Sequence, residues 1–255
     1  MLTASIYGLI GGSTLFIGAL IGLYLTVPRS ISALIMSFGS GVLVSALTFD
    51  LMERAFQTGS FYSVAIGFTV GTLLFVLGDY FIDSFGGHHR KQVHGKKHAA
   101  KKSSPKEAQV SNSGYAIFLG ALLDGIPESL AIGVGLAAGQ GMGLSMMIAV
   151  MLSNLPEGIS GSQAMLNTGR SKLYVMAVWG GTIITSVGAA AVGFSTLGQT
   201  SHEIVAVTLA LAAGAILAMI ADTMIPEAFE EGGRFVALAT ALGFLLAFIV
   251  SHLAK

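Results

Sequence analysis

The chain has 255 residues, of which 53% are hydrophobic and only 10% are charged, and its mean hydropathy is +0.78. A soluble domain carries about 25% charged residues, so this composition excludes an ordinary soluble fold and predicts a protein whose main solvent is lipid. The 13 Lys and Arg balance the 13 Asp and Glu, which argues against nucleic-acid binding, and the absence of cysteine excludes disulfides and thiolate metal sites.

Eight apolar segments, separated by Pro, Gly and charged residues, predict eight transmembrane helices, because each is close to the roughly 20 residues that cross a bilayer core. They are residues 4–26, 32–56, 62–86, 114–138, 142–167, 173–197, 203–229 and 235–253. The first segment lacks the basic start and cleavage site of a signal peptide, so we expect it to be retained. The expected fold is an all-α polytopic bundle in one domain, residues 1–255.

The basic residues predict the orientation of this bundle. An even number of spans places both termini on one side, and the loops of the opposite side hold nearly all the Lys and Arg. These are Arg29, Arg90, Lys91, Lys96, Lys97, Lys101, Lys102, Lys106, Arg170, Lys172 and Arg234, against Arg54 and Lys255 on the other side. Since basic loops stay in the cytoplasm, we expect both termini outside and a multi-pass protein of the plasma (inner) membrane.

The second span has a counterpart in the seventh. Gly41–Phe56 and Gly214–Phe229 have equal lengths, contain an Asp-x-Met element and end in Ala-Phe. Because the two spans run in opposite directions, their likeness fits an inverted repeat that flanks helices four and five. The alternative is that Gly-rich apolar helices simply resemble one another.

Four acids in these two spans are candidates for a cation pathway. Asp50 and Glu53 lie near the outer end of the second span, and Asp222 and Glu227 lie toward the inner end of the seventh. They could relay a cation on either side of a central site, or they could be solvated helix ends.

Residues 87–113 form the longest predicted loop, which is cytoplasmic, rich in His and Lys, and expected to be disordered because it cannot bury a core. Four histidines, His88, His89, His94 and His98, could capture or sense metal. The simpler role is a linker that fixes the topology and faces lipid headgroups.

The fourth and fifth spans each carry a Pro-Glu element near the middle, in Asp124-Gly-Ile-Pro-Glu128-Ser and Ser153-Asn154-Leu-Pro-Glu157-Gly. An ionised carboxylate at the bilayer centre costs a few kcal/mol or more unless it is paired, hydrated or coordinated. Asp124 and Glu128 are four residues apart, as are Ser153 and Glu157, so each pair shares one helix face, and Asn154 adds an amide oxygen. No basic residue lies in the middle of a span to balance the three acids.

Pro127 and Pro156 add further oxygens, because a proline inside a helix frees the carbonyl one turn back. Carboxylates, hydroxyl, amide and freed carbonyls together predict a mid-membrane site for a divalent cation. The alternative is that the acids are protonated or hydrogen-bonded to Ser and Thr across helices.

These elements resemble the motifs of the ZIP (Zrt-, Irt-like protein) metal transporters, eight-helix proteins with both termini outside. The family's His-Asn-x-Pro-Glu-Gly maps onto residues 124–129 and its His-Glu-x-Pro-Glu-Gly onto 153–158, with both Pro-Glu pairs kept and both histidines replaced. The resemblance covers essentially the whole chain and implies that Glu128 and Glu157 are the principal ligands. It also implies that one helix bundle moves against the other. Many members carry a Glu in the sixth span, whereas residues 182–186 hold no acid, which argues against a second metal position.

The ligand types refine the choice of metal. No histidine lies within the core of a span, so the site is all oxygen, which favours harder ions such as manganese or ferrous iron over the zinc that the family implies. We therefore expect transport of a divalent ion (Zn, Mn, Fe, Co or Cd) into the cytoplasm by alternating access. The metal is cargo, the bilayer is the other partner, and no cofactor is expected.

Other functions are weighed against transport. An intramembrane hydrolase would need a His-bearing metal site or a nucleophile with its base, and the cores of the spans contain neither His nor Cys, so we expect no enzyme. A non-transporting metal sensor or scaffold with the same fold stays open. The 34 glycines favour a carrier over a channel, and the sequence leaves a homodimer open.

Overall fold

The computed structural model describes residues 1–82, 106–139, 141–197 and 200–253. Within these ranges every regular element is a helix and no strand occurs. The greater part of the predicted loop 87–113 lies outside the described residues, and the following helix begins at Lys106, eight residues before the predicted start of the fourth span.

Eight helical segments cross the described part of the molecule. They are α1 Leu2–Tyr24, α2 Arg29–Thr58, α3 Phe61–Ile82, α4 Lys106–Ala138, α5 Met142–Asn167, α6 Lys172–Val192, α7 His202–Gly232 and α8 Phe235–Leu253. Seven of them are long and apolar enough to span a membrane, and α8 contains a shorter apolar stretch. The expected all-α polytopic bundle is confirmed.

Helices α1, α4, α5 and α6 pack into what we call the first bundle. At the centre, α1 and α5 meet backbone to backbone: a Cβ on Gly158 would collide with the carbonyl of Leu15, and one on Gly18 would collide with the carbonyl of Leu155. Only glycine permits this approach, and van der Waals packing of this kind drives helix association in lipid. Further glycines at such contacts, joining α6 to α1 and α4, are Gly8, Gly12 and Gly133.

Helices α2, α3, α7 and α8 form the second bundle by the same device. Gly41 of α2 abuts the carbonyl of Thr240 on α8, and Gly214 of α7 abuts the carbonyl of Phe68 on α3. These two glycines occupy equivalent positions of the predicted repeat and each packs its helix against a neighbour. The packing therefore agrees with an inverted repeat.

The second and seventh helices also share an interruption. A π-helical turn begins six residues after each of the two glycines, at Leu47–Met52 in α2 and Ile220–Met224 in α7. Asp50 lies in the π-helical turn of α2, and Asp222 lies in the π-helical turn of α7. Turns of this type occur mostly as single insertions inside α-helices, frequently at functional sites.

The two ends of the molecule differ in charge. Arg29, Arg170, Lys172 and Arg234 lie where α2, α5, α6, α7 and α8 begin or end, and we call this end the basic face. The chain reverses there through Gly169 and Gly233, whose positive φ angles of 83° and 58° suit glycine. Helix α1 begins and helix α8 ends at the opposite end, which we call the terminal face.

Candidate metal site

Glu128 lies in the contact between α4 and α5, with 1% of its surface exposed. Ser153 Oγ lies 3.3 Å from Glu128 Oε1 and can donate to it, the alternative acceptor being the Val150 carbonyl at 3.0 Å. Glu128 Oε2 is buried and has no hydrogen-bond partner among the residues that the structure describes. Burying such an oxygen without a partner is costly, and a bound cation or a proton would reduce this cost.

Asp124 lies one helical turn before Glu128 and is also buried. The two carboxyl groups are close enough for their charges to repel each other. Two neighbouring acids that are both shielded from water attract positive charge, and a dication satisfies both at once.

Asn154 connects the site to α1. Its Nδ2 donates to the Gly11 carbonyl at 3.1 Å, which leaves Oδ1 as the free end of the amide. This oxygen is buried and without a partner within the described ranges. The predicted amide ligand is therefore held by α1 with its acceptor atom available.

Glu157 is only half-buried and lines a cavity together with Asp124. This inner cavity lies between α2, α4, α5, α6 and α7, and Thr223 and Glu227 of α7 also line it. Asp124 thus links the two predicted ligands, since it interacts with Glu128 on one side and shares a cavity with Glu157 on the other.

No group of three or more His, Asp or Glu side chains in the described residues is arranged to hold a metal ion by itself. A cation would therefore need hydroxyl, amide and carbonyl oxygens in addition to carboxylates. Pro127 and Pro156 lie inside α4 and α5, where each deprives the carbonyl one turn back of its helical partner. The donor set is entirely oxygen, as hard divalent ions prefer.

The four predicted pathway acids have different surroundings. Asp50 is buried, accepts a hydrogen bond from Ser251 Oγ at 2.9 Å, and lines an outer cavity between α2, α5 and α8. Glu227 lines the inner cavity. Glu53 is exposed and accepts from Gln57 Nε2, and Asp222 is exposed, so neither of these two lines the inner or the outer cavity.

Three polar residues of the inner cavity were missed by sequence reasoning. Ser160 follows Glu157 by three residues and Thr223 precedes Glu227 by four, so helical spacing alone could have found both. No pattern in the sequence indicated that Trp179 of α6 would line this cavity. Thr223 Oγ1 and Trp179 Nε1 are buried without a hydrogen-bond partner in the described part of the chain, which adds polar atoms to a wall that already contains three acidic side chains.

A family model described as ZIP zinc transporter matches residues 83–251, about two thirds of the chain. The matched segment includes α4 and α5 with both Pro-Glu elements and continues into α8. No curated protein gives a match.

Proposed function

The chain belongs to the ZIP zinc transporter family, and from this premise we propose that it carries a divalent metal cation through a site formed by Asp124, Glu128, Ser153, Asn154 and Glu157. Members of the family are membrane transporters of divalent cations, typically zinc, and not enzymes. The assignment of ligands, metal and direction is our proposal.

The ligand assignment rests on two buried oxygens, Glu128 Oε2 and Asn154 Oδ1, that have no hydrogen-bond partner among the described residues. A folded protein leaves few such atoms, and each costs about 1–3 kcal/mol unless a ligand satisfies it. Ser153 contributes a third oxygen next to Glu128. Transient occupation by a cation explains why this region of the bundle is polar at all.

The inner cavity provides the route away from these oxygens. Glu157, half-buried, receives the cation from the more buried Glu128, and Glu227 continues the path toward the basic face. We propose release on that face, which the basic loops assign to the cytoplasm. A carrier mechanism then requires a second conformation that opens the site to the terminal face.

Ligand chemistry guides the choice of metal. Carboxylate, hydroxyl and amide oxygens favour Mn²⁺ and Fe²⁺, whereas family membership favours Zn²⁺. Met36, Met219 and Met224 also line the inner cavity, but methionine in a helix bundle is more often a packing residue than a ligand. We propose a broad selectivity in which manganese and iron are carried at least as well as zinc.

The test is metal uptake by proteoliposomes offered Zn, Mn, Fe, Co or Cd as divalent ions, with Glu128→Gln and Glu157→Gln as variants. Each should lower uptake at least about tenfold, because it removes one charged ligand. Glu230→Gln is the matched control, since Glu230 is an exposed glutamate of α7 that does not line the inner cavity. Monodisperse protein without uptake of any ion would favour a sensor or scaffold, and unchanged uptake in both variants would overturn the site.

A further inference from the structure

The inner cavity does not end at Glu227. Met36, Ser160 and Glu227 line both this cavity and a smaller space beside it, at the basic face between α2, α5 and α7. We call the smaller space the vestibule. Its polar lining consists of Arg29, Ser32, Ser160, Gln163, Glu227 and Glu231.

Two carboxylates of the vestibule come from consecutive turns of α7. Glu227 and Glu231 are four residues apart and line the same space, so they share a helix face. An ion pair already holds Glu231, since Arg29 Nη1 lies 3.4 Å from its Oε1. With side-chain exposures of 57% and 22%, this pair contributes little to stability and is easily exchanged.

Ser32 gives an independent sign of a ligand. It lies three residues after Arg29 on α2, is more than nine-tenths buried and lines the vestibule. Its hydroxyl has no hydrogen-bond partner in the part of the chain that the structure describes. Together with the Gln163 amide and the two carboxylates, it offers oxygens of the kind that hard cations take.

We propose that the vestibule is a second cation-binding site, in which the Arg29 guanidinium takes the position of the departing metal and competes with it for Glu231. The inference rests on the proposed transport function and deepens it, because it names where the cation is held before release. Arg29 is always charged, so the competition operates at every physiological pH.

The structure also offers a place for the displaced guanidinium. Arg29 also lines a wider space at the basic face together with Tyr24, Gln163 and Asn167, and Glu231 is not among the residues that line this space. When a dication reaches Glu227 and Glu231, Arg29 moves into this space, and when the ion leaves, Arg29 returns. The last site of the path is thereby kept weak, as release requires.

The experiment measures binding of Mn²⁺ alone to purified full-length protein, in a Glu128→Gln/Glu157→Gln background that removes the central carboxylates. Adding Arg29→Gln should tighten the remaining Mn²⁺ binding about tenfold, because one competing charge is lost. Arg29→Lys, which keeps the charge, should bind as the background does. Adding Glu231→Gln to Arg29→Gln should abolish the gain.

Arg234→Gln is the matched control, since Arg234 is an exposed arginine of the same face that does not line the vestibule. It changes the net charge equally, and we expect no tightening. Equal tightening in Arg234→Gln and Arg29→Gln, or no tightening in Arg29→Gln, would overturn the second site. A gain that depends on Glu231 supports it even if the proteoliposomes show no uptake, a result that would overturn only the proposed function.

Discussion

Two cavities approach α5 from opposite ends of the molecule, and they differ in what they reach. The inner cavity contains Asp124, Glu157 and Glu227 and therefore joins the central acids to the basic face. The outer cavity contains one carboxylate, Asp50, and ends against apolar side chains such as Leu152. Two of the proposed ligands, Asp124 and Glu157, thus line the inner cavity, and none of the proposed ligands lines the outer cavity.

A close contact between α2 and α5 lies between the two cavities. On α2, Met36 lines the inner cavity and Val42 the outer, and Gly39 lies between them. A Cβ on Gly39 would come within 3.0 Å of the Leu152 carbonyl and of Ser153 Cα on α5. The carbonyl is the one that Pro156 frees, so the two bundles meet directly beside a proposed ligand.

The largest effect is expected from breaking this contact with Gly39→Val. The added atoms must push α2 away from α5, at an overpacking cost of about 1–3 kcal/mol, and they displace Ser153 from Glu128. We expect a lower melting temperature and loss of nearly all metal uptake. Gly188→Val on α6 is the matched control, because a Cβ there meets nothing within 4 Å. Equal uptake by the two variants would show that the contact is not needed for transport.

An intermediate effect is expected on the rate of cysteine labelling, which tests which of the two cavities is hydrated. The chain has no cysteine, so single substitutions report cleanly. Ser160 in the inner cavity and Leu152 in the outer are both half-buried residues of α5. We expect Ser160→Cys to react with a membrane-impermeant maleimide added at the basic face at least about tenfold faster than Leu152→Cys reacts with the same reagent added at the terminal face. The reason is that the reactive thiolate forms in a hydrated cavity and not in an apolar one. Equal rates would mean that both cavities are hydrated.

The contrast between the cavities was only partly predictable from the sequence. The Pro-Glu elements of α4 and α5 stood out because acids are rare inside spans. From their motifs, Glu128 and Glu157 were predicted to be equivalent ligands, whereas Glu128 is buried against Ser153 and Glu157 lines a cavity. Likewise Asp50 and Glu53 looked alike, because the burial of Asp50 depends on Ser251, which lies 201 residues away in the chain.

Two other features, the Arg29–Glu231 ion pair and the π-helical turns, could not be predicted from the sequence for physical reasons. Arg29 counted only as a loop charge that sets topology, since its partner Glu231 comes from the far end of the chain. Hydropathy defines the spans of α2 and α7 but does not register π-helical turns, because one extra residue per turn hardly changes an apolar stretch. The π-helical ranges Leu47–Met52 and Ile220–Met224 were therefore not predicted from the sequence.

The smallest effect is expected for Ser251→Ala in the outer cavity. The substitution removes the donor to Asp50 Oδ1, and hydrogen bonds between membrane helices are worth about 1 kcal/mol or less, so stability should fall slightly. Ser45→Ala on α2 is the control, because its buried hydroxyl has no partner within the described residues and its loss should be neutral or stabilising. In an Asp50→Asn background the cost of Ser251→Ala should shrink. Uptake should change less than about twofold, since the bond lies outside the route from the central acids to the basic face. A loss of uptake as large as that of Gly39→Val would place Asp50 on the cation path and remove the distinction between the cavities.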